Sequence, residues 1–129
     1  MKKYLLAICL LTPFVATAQP INQSVLQKSM KIWHPVAIAQ NADVITLTMN
    51  ENQVTNAIYM AVIKGGVCPP LWSDAKKTAY LKNIKEIRVL NIHNYIGYVY
   101  ENPKSSCEEL GVATADREDI NILSHTHGF

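Results

Sequence analysis

Apolar residues recur at helical spacing in two stretches of the chain. The first stretch predicts a helix over Ile21 to Trp33, because Leu26, Met30 and Trp33 follow one another at steps of four and three residues, with Val25 beside Leu26. The second predicts a largely buried helix over residues 51 to 64, with Val54, Ala57, Ile58, Ala61 and Val62 on its apolar face. Asn50 followed three residues later by Gln53 is close to a capping box, and the double glycine Gly65-Gly66 is expected to end this helix.

Three other stretches are rich in β-branched and aromatic residues and predict strands. They are Asp43 to Met49, Ile84 to Ile92, and Tyr95 to Tyr100. His93-Asn94 separates the last two, and asparagine tolerates the positive φ that a tight hairpin demands. Because a strand followed by a buried helix needs a sheet to pack against, we predict an α+β fold. Its sheet is expected to be small and antiparallel, with about three strands packed against helices on one face.

Turn and cap residues predict two shorter helices. A cap at Ser73-Asp74 predicts a helix over Asp74 to Lys82, and Asn102-Pro103 predicts a helix over Pro103 to Leu110 that ends at Gly111. Between the glycine pair and the first of these helices, Pro69-Pro70 predicts an extended connection.

The chain beyond Gly111 is mainly polar and acidic, with Ile120, Ile122 and Leu123 as its apolar cluster. The sequence therefore predicts one compact domain over residues 19–111, followed by a C-terminal tail over residues 112–129. This tail is expected to add an edge strand at Ile120 to Leu123 or to remain loose.

The first residues have the pattern of an export signal. Two lysines precede an apolar run from Tyr4 to Val15, and Ala16-Thr17-Ala18 is a small-x-small cleavage site. The run is about a dozen residues long, whereas a helix needs roughly 20 to cross a bilayer. We therefore predict a cleaved signal peptide over residues 1–18, which removes Cys9. The mature chain is predicted to be periplasmic or secreted and to lack a transmembrane segment.

Cys68 and Cys107 are the two cysteines of this predicted mature chain. In an oxidising compartment an even number of cysteines favours a disulfide. A bridge between them would close a loop of about 40 residues, which the chain-entropy estimate values at roughly 4 kcal/mol. A redox-active or catalytic thiol is the alternative, but the sequence has no Cys-x-x-Cys pair. We predict a structural disulfide.

The predicted mature chain is electrically balanced, with ten basic and ten acidic residues when histidine is neutral. A nucleic-acid partner is not expected, because such binding depends on a basic surface. The charges are unevenly spread, however. Residues 64–88 hold six basic and two acidic residues, and residues 101–119 hold six acidic and two basic ones. Either these segments are solvated or face each other, or they form a polarised surface that selects a charged partner.

The histidines near the end of the chain are the main candidates for chemistry. His125 and His127 form a His-x-His pair that could bind a metal ion through two nitrogen ligands, although a zinc site needs further ligands. Glu108 and Glu109 are adjacent and point about 100° apart on a helix, so they form no facing acid/base pair. No cofactor and no enzymatic activity are predicted. The alternative is a periplasmic hydrolase or metal-binding protein that uses these histidines.

Aromatic residues gather around the predicted hairpin and supply the candidate interface. These are Trp72, Tyr80, Tyr95, Tyr98 and Tyr100. Tyrosine and tryptophan are enriched at interface hot spots, and ordinary cross-strand packing is the alternative. The sequence favours a small exported, non-catalytic binding protein with a protein partner in the cell envelope. It would be either an accessory component of a secretion or conjugation system or an immunity-type inhibitor. A carrier of a small apolar ligand would require a cavity beneath the sheet.

Overall fold

A computed structural model describes residues 21–129, so the predicted signal peptide over residues 1–18 lies outside the described residues. The strands are β1 (Ala37–Asn41), β2 (Val44–Thr48), β3 (Glu86–Leu90), β4 (Gly97–Glu101) and β5 (Thr126–Gly128). The α-helices are α1 (Ile21–Ser29), α2 (Asn56–Val62), α3 (Pro69–Trp72), α4 (Pro103–Gly111) and α5 (Glu118–Ser124). A π-helical turn, Ile63–Val67, extends α2, and two 3-10 turns lie at Lys31–Trp33 and Ala115–Arg117.

The strands form one five-stranded mixed sheet in the order β1-β2-β3-β4-β5. The prediction of a three-stranded antiparallel sheet is therefore wrong, although the α+β class holds. Strands β2 and β3 are parallel, whereas the other neighbouring pairs are antiparallel. The parallel pair arises because the chain leaves the sheet after β2, passes through α2 and α3, and returns to run β3 in the same direction.

The two strands that the sequence pattern missed are the edge strands. Strand β1 has the sequence AIAQN, and its residues are exposed except for the half-buried Ile38. A two-residue connection at Ala42, with φ of 54°, returns the chain into β2. Strand β5 has three residues. Neither sequence shows strong β-propensity, so their pairing is decided by the neighbouring strands rather than by local preference.

The two faces of the sheet are different. From one face, alternate residues of β2, β3 and β4 project into the hydrophobic core; these are Ile45, Leu47, Ile87, Val89, Tyr98 and Tyr100. The core is completed by residues such as Leu26 of α1, Tyr59 of α2 and Leu110 of α4. The opposite face, called the open face, presents Thr46, Arg88, Val99 and His127 in register across β2 to β5.

Helix α2 begins later than the capping-box pattern predicts. Its N-cap is Thr55, whose hydroxyl accepts a hydrogen bond from the Ile58 N–H at 3.2 Å. The main chain upstream instead binds the β3–β4 loop: the Asn91 side chain donates to the Asn52 carbonyl, and the Ile92 N–H donates to the Glu51 carbonyl. These long-range bonds hold the residues before Thr55 in a non-helical conformation.

The glycine pair does not end a helix as predicted. Gly65 and Gly66 lie inside the π-helical turn, and no glycine among residues 21–129 has positive φ. Their small size is used for close packing, because a Cβ at Gly66 would lie 2.5 Å from Met30 Sδ and 3.1 Å from the Trp33 ring. The predicted extended connection at Pro69-Pro70 is also wrong, since these prolines begin α3.

Residues 73–83 form successive turns rather than the predicted helix. Leu81 and Asn83 adopt left-handed backbone conformations, with φ of 61° and 60°, which a helix does not allow. The buried Asn22 side chain fixes this path, since its Oδ1 accepts a hydrogen bond from the Leu81 N–H at 2.7 Å. A buried tertiary hydrogen bond thus overrides the local helical preference.

In the C-terminal third of the chain, one predicted helix is present and the predicted tail is folded. The helix predicted after Asn102-Pro103 is confirmed as α4, which ends at Gly111. Residues 112–129, predicted as a polar tail with an edge strand at residues 120–123 or no fixed structure, contain α5 and β5. Ile122 of α5 is fully buried, and β5 pairs with β4. None of the helices between residues 21 and 129 has the length and hydropathy needed to cross a bilayer.

Candidate functional site

The predicted disulfide between Cys68 and Cys107 is confirmed. The two residues are fully buried, and their Cα atoms are 5.2 Å apart. Cys68 lies between the π-helical turn and α3, and Cys107 lies in the middle of α4. The bond therefore fastens α4 to the end of the long helical crossover. Neither thiol is free to act as a nucleophile or a metal ligand.

Three of the five predicted interface aromatics are used in packing. Tyr80 and Tyr100 are fully buried, and the Tyr80 hydroxyl donates to the Val67 carbonyl at 2.6 Å. Burial raises the pKa of both phenols above the ordinary tyrosine value. Tyr98 is partly buried and stacks on Tyr59, with ring centroids 4.6 Å apart. Tyr98 thus packs the sheet against α2, and Tyr80 fastens residues 73–83 to the π-helical turn, so these side chains leave little surface for a partner.

The other two predicted interface aromatics are exposed, but they lie in different places. Tyr95, in the β3–β4 loop, is 80% exposed, and its ring centroid lies 5.9 Å from that of His93. Trp72, at the end of α3, is 40% exposed. Its indole packs so closely on Gly111 that a Cβ there would lie 2.7 Å from Trp72 Nε1.

Further exposed apolar residues lie just after α4 and within α5. Val112, which follows Gly111, is 87% exposed, and Ile120 of α5 is 65% exposed. Both line a groove of about 590 Å³ between α4 and α5. Leu123, one turn after Ile120, is 45% exposed. We call Trp72, Gly111, Val112, Ile120 and Leu123 the apolar surface.

Sequence reasoning missed most of this surface because it treated residues 112–129 as a tail. A helical signal was present: Ile120 and Leu123 are three residues apart, and Glu118-Asp119 precede them as acidic residues do in a first helical turn. The contact between Trp72 and Gly111 had no sequence signal, because it joins residues from two distant elements.

The two C-terminal histidines are held by carboxylates from different elements. His125 Nε2 lies 2.6 Å from Glu109 Oε2 on α4, and His127 Nδ1 lies 2.6 Å from Glu101 Oε1 on β4. Within residues 21–129, no group of three or more histidine, cysteine or acidic side chains is placed to hold a metal ion. The histidines thus fasten β5 and the end of α5 to their neighbours.

The open face carries charged groups that are paired with one another. Glu86 and Glu101 are cross-strand neighbours, an arrangement that is repulsive for two carboxylates. Arg88 Nε donates to Glu86 Oε2 at 3.1 Å, and Glu101 is bonded to His127. The Arg88 guanidinium also lies 5.1 Å from the centroid of the Phe129 ring. The charges of this face are therefore largely satisfied within the face itself.

The uneven charge distribution along the sequence brings some opposite charges together. Lys64, from the basic stretch, forms ion pairs with Asp119 and, at 3.7 Å, with Glu118. The hydrogen bond to Asp119 raises the pKa of Lys64. This contact joins the π-helical turn to the start of α5, so part of the acidic stretch faces part of the basic stretch.

Comparisons with models of protein families, with curated proteins and with solved structures found no match to this chain. Its function is therefore inferred from the contacts, burial and charges of residues 21–129. The exposed apolar surface and the internally paired reactive side chains are the two features that bear on function most directly.

Proposed function

We propose that this protein is exported and acts by binding another protein, with the apolar surface as its main contact. The observation that carries the proposal is that the exposed Trp72 lies on Gly111, next in sequence to Val112, and that the exposed Val112 and Ile120 line one groove. Contiguous exposed apolar surface is typical of interaction sites, and a tryptophan is a common hot spot within them.

The state of the reactive side chains supports binding rather than catalysis. Both cysteines are in the disulfide, and each C-terminal histidine is hydrogen-bonded to a carboxylate. The disulfide, together with the lack of a membrane-spanning helix among residues 21–129, is compatible with an exported protein. A partner in the cell envelope fits this location, either an assembly that the protein serves or an enzyme that it inhibits.

Charge placed on the apolar surface tests the proposal. Val112→Asp and Ile120→Asp alter exposed positions and leave the buried core unchanged. Ile32→Asp is the matched control, because Ile32 is 75% exposed and lies beyond α1, outside the apolar surface. Each variant is immobilised in its oxidised form, exposed to a periplasmic extract of the source cells, and compared by quantitative mass spectrometry.

We expect the parent protein and Ile32→Asp to capture the same partner, and Val112→Asp and Ile120→Asp to capture at least about tenfold less of it. Equal capture by all four proteins would show that the apolar surface is not the contact. Capture of no specific protein by the parent would count against a binding function as a whole.

A further inference from the structure

A second groove lies on another part of the surface, between α1 and the chain that runs through α3 into the following turns. Its volume is about 440 Å³, within the range of roughly 300–1,000 Å³ that is usual for ligand pockets. We call it the α1 groove. Its apolar lining is formed by Ile21 and Val25 of α1, Pro69 and Pro70 of α3, and Ala75.

Two of the four hydroxyl groups that line the α1 groove, those of Ser73 and Thr78, donate short hydrogen bonds within the protein. Ser73 Oγ donates to the Pro69 carbonyl at 2.9 Å, and Thr78 Oγ1 donates to the Ala75 carbonyl at 2.7 Å. Covering these hydroxyls therefore does not leave a donor unsatisfied, which is the main cost of burying polar groups. An apolar side chain can therefore displace water from the part of the groove beside Ser73 and Thr78 at little cost in free energy.

Lysines outnumber acidic residues in the lining of the α1 groove and on the turns that supply one of its walls. Lys28 lines the groove, while Lys76, Lys77 and Lys82 are exposed on the turns of residues 73–83, which supply one wall. None of these four lysines forms an ion pair with another residue between 21 and 129, and neither does Asp74, the acidic residue of the lining.

Most of the acidic stretch over residues 101–119 differs in this respect, and Asp116 is its one acidic residue without an ion pair to another residue between 21 and 129. Glu108 is paired with Lys104, Glu109 with His125, and Asp119 with Lys64. Lys28, Lys76 and Lys77 outnumber Asp74 in and beside the α1 groove, so the net charge there is positive. Complementary potential selects a partner and speeds its approach.

We propose that the α1 groove binds an acidic, amphipathic segment of a partner protein. Apolar side chains of that segment occupy the space above Val25 and Pro70, and its carboxylates face Lys28, Lys76 and Lys77. The inference rests on the proposed function in assuming a protein partner, but it concerns a different surface. A peptide is favoured over a lipid surface because the apolar lining lies in a groove, which protruding side chains reach and a flat bilayer does not.

A random peptide library displayed on phage, selected against the disulfide-bonded protein, provides the probe. We expect selected peptides to be enriched in Asp and Glu with spaced apolar residues, and to lose affinity as salt is raised. One variant, Ser24→Trp, fills the groove from α1. Another, Lys76→Glu with Lys77→Glu, reverses two exposed charges on the turns that supply one wall. Each is expected to weaken the selected peptide by at least about tenfold.

Gln27→Trp is the matched control, because Gln27 is an exposed residue of α1 that lines a different groove. It is expected to bind the selected peptide as the parent does. The proposal is overturned if selection yields no peptide, if the selected peptides lack acidic residues, or if Ser24→Trp binds them normally.

Two other occupants give distinguishable results. Binding to phosphatidylglycerol vesicles that depends on Lys76 and Lys77 but not on Ser24→Trp would assign the surface to a membrane. Self-association that disappears in Ser24→Trp would assign it to a second copy of this chain. Either result overturns the proposal. Failure of the proposed function would appear separately, as partner capture that is insensitive to Val112→Asp.

Discussion

The indole nitrogen of Trp72 donates a hydrogen bond to the main-chain carbonyl of Cys107, with a distance of 2.9 Å between the two atoms. Because Cys107 is also joined to Cys68, a hydrogen bond and a covalent bond connect the α3 region to the same turn of α4. One side of the Trp72 ring lies on Gly111, and part of its surface is exposed to solvent. Trp72 thus has a structural contact and an available binding surface at once.

Replacing Trp72 with phenylalanine separates the hydrogen bond from the apolar contact. Trp72→Phe keeps an aromatic ring and removes the donor, so we expect the free energy of unfolding to fall by about 1 kcal/mol. Urea denaturation of the oxidised protein measures this change. Tyr95→Phe is the control, because Tyr95 is 80% exposed, and its stability should stay within about 0.5 kcal/mol of the parent. Equal stability of Trp72→Phe and the parent would contradict a stabilising role for the hydrogen bond.

Glycine is required at position 97 but not at position 128. A Cβ at Gly97 would clash with the Val89 carbonyl oxygen and would lie 2.9 Å from Leu90 Cα, both main-chain atoms of the neighbouring strand. A Cβ at Gly128 would meet nothing within 4 Å. We expect Gly97→Ala to lower the free energy of unfolding by about 1–3 kcal/mol or more, because strand β3 cannot move away without losing its pairing. Gly128→Ala should behave as the parent in thermal denaturation, and a similar loss in both variants would be the contrary result.

The disulfide is expected to supply a large part of the stability. Its sequence separation is 39 residues, and the chain-entropy estimate for such a loop is roughly 4 kcal/mol. Replacing Cys68 and Cys107 together with alanine should lower the urea midpoint strongly. Reductant should lower the midpoint of the parent by a similar amount and leave that of the double variant unchanged. A double variant as stable as the oxidised parent would disprove this expectation.

Because three tyrosines are buried, we expect the protein to lose stability at alkaline pH. Burial raises the pKa of Tyr59, Tyr80 and Tyr100 above the ordinary value of 10.0, since the phenolate loses its solvation. The unfolded chain therefore releases these protons at a lower pH than the folded chain does. The part of the free energy of unfolding that depends on these neutral phenols is therefore fully present below about pH 10 and is lost as the pH rises further.

An ultraviolet absorbance titration checks this alkaline transition. We expect three phenolates to appear together with a cooperative loss of the near-ultraviolet circular dichroism signal. Tyr80→Phe should remove one phenolate from that cooperative step. Complete tyrosine ionisation without any loss of the dichroism signal would show that these phenols are not held in the core.

Local patterns were sufficient where one short segment contains the whole signal. Asn102-Pro103 at one end and Gly111 at the other predicted the limits of α4, because proline fits the first helical turn. The alternation of apolar residues located β2, and the positive φ expected near Asn94 is present at 59°. The pairing of Cys68 with Cys107 followed from the predicted loss of Cys9 and from the oxidising compartment that the signal pattern implies.

Local patterns failed where a distant contact decides the backbone conformation. The turn at Leu81 depends on Asn22, and the late start of α2 depends on bonds between the residues before Thr55 and the β3–β4 loop. Among the candidate interface residues, the structure shows that Trp72 and Tyr95 are exposed and that Tyr80 and Tyr100 are buried. Residue type alone could not make that distinction, because tyrosine suits both a core and an interface.

The sequence by itself determined the α+β class, the positions of three strands, the limits of α4 and the pairing of the cysteines, since each depends on a periodicity, a cap or a count. The tertiary structure alone decided that β2 and β3 are parallel, that β1 and β5 complete the sheet, and that residues 118–124 are helical. It also brought Trp72 beside Gly111 and left Val112 and Ile120 exposed nearby. The physical reason is that these outcomes depend on contacts between residues that are far apart in the sequence. The local preferences of a short segment do not specify which distant residues it will contact.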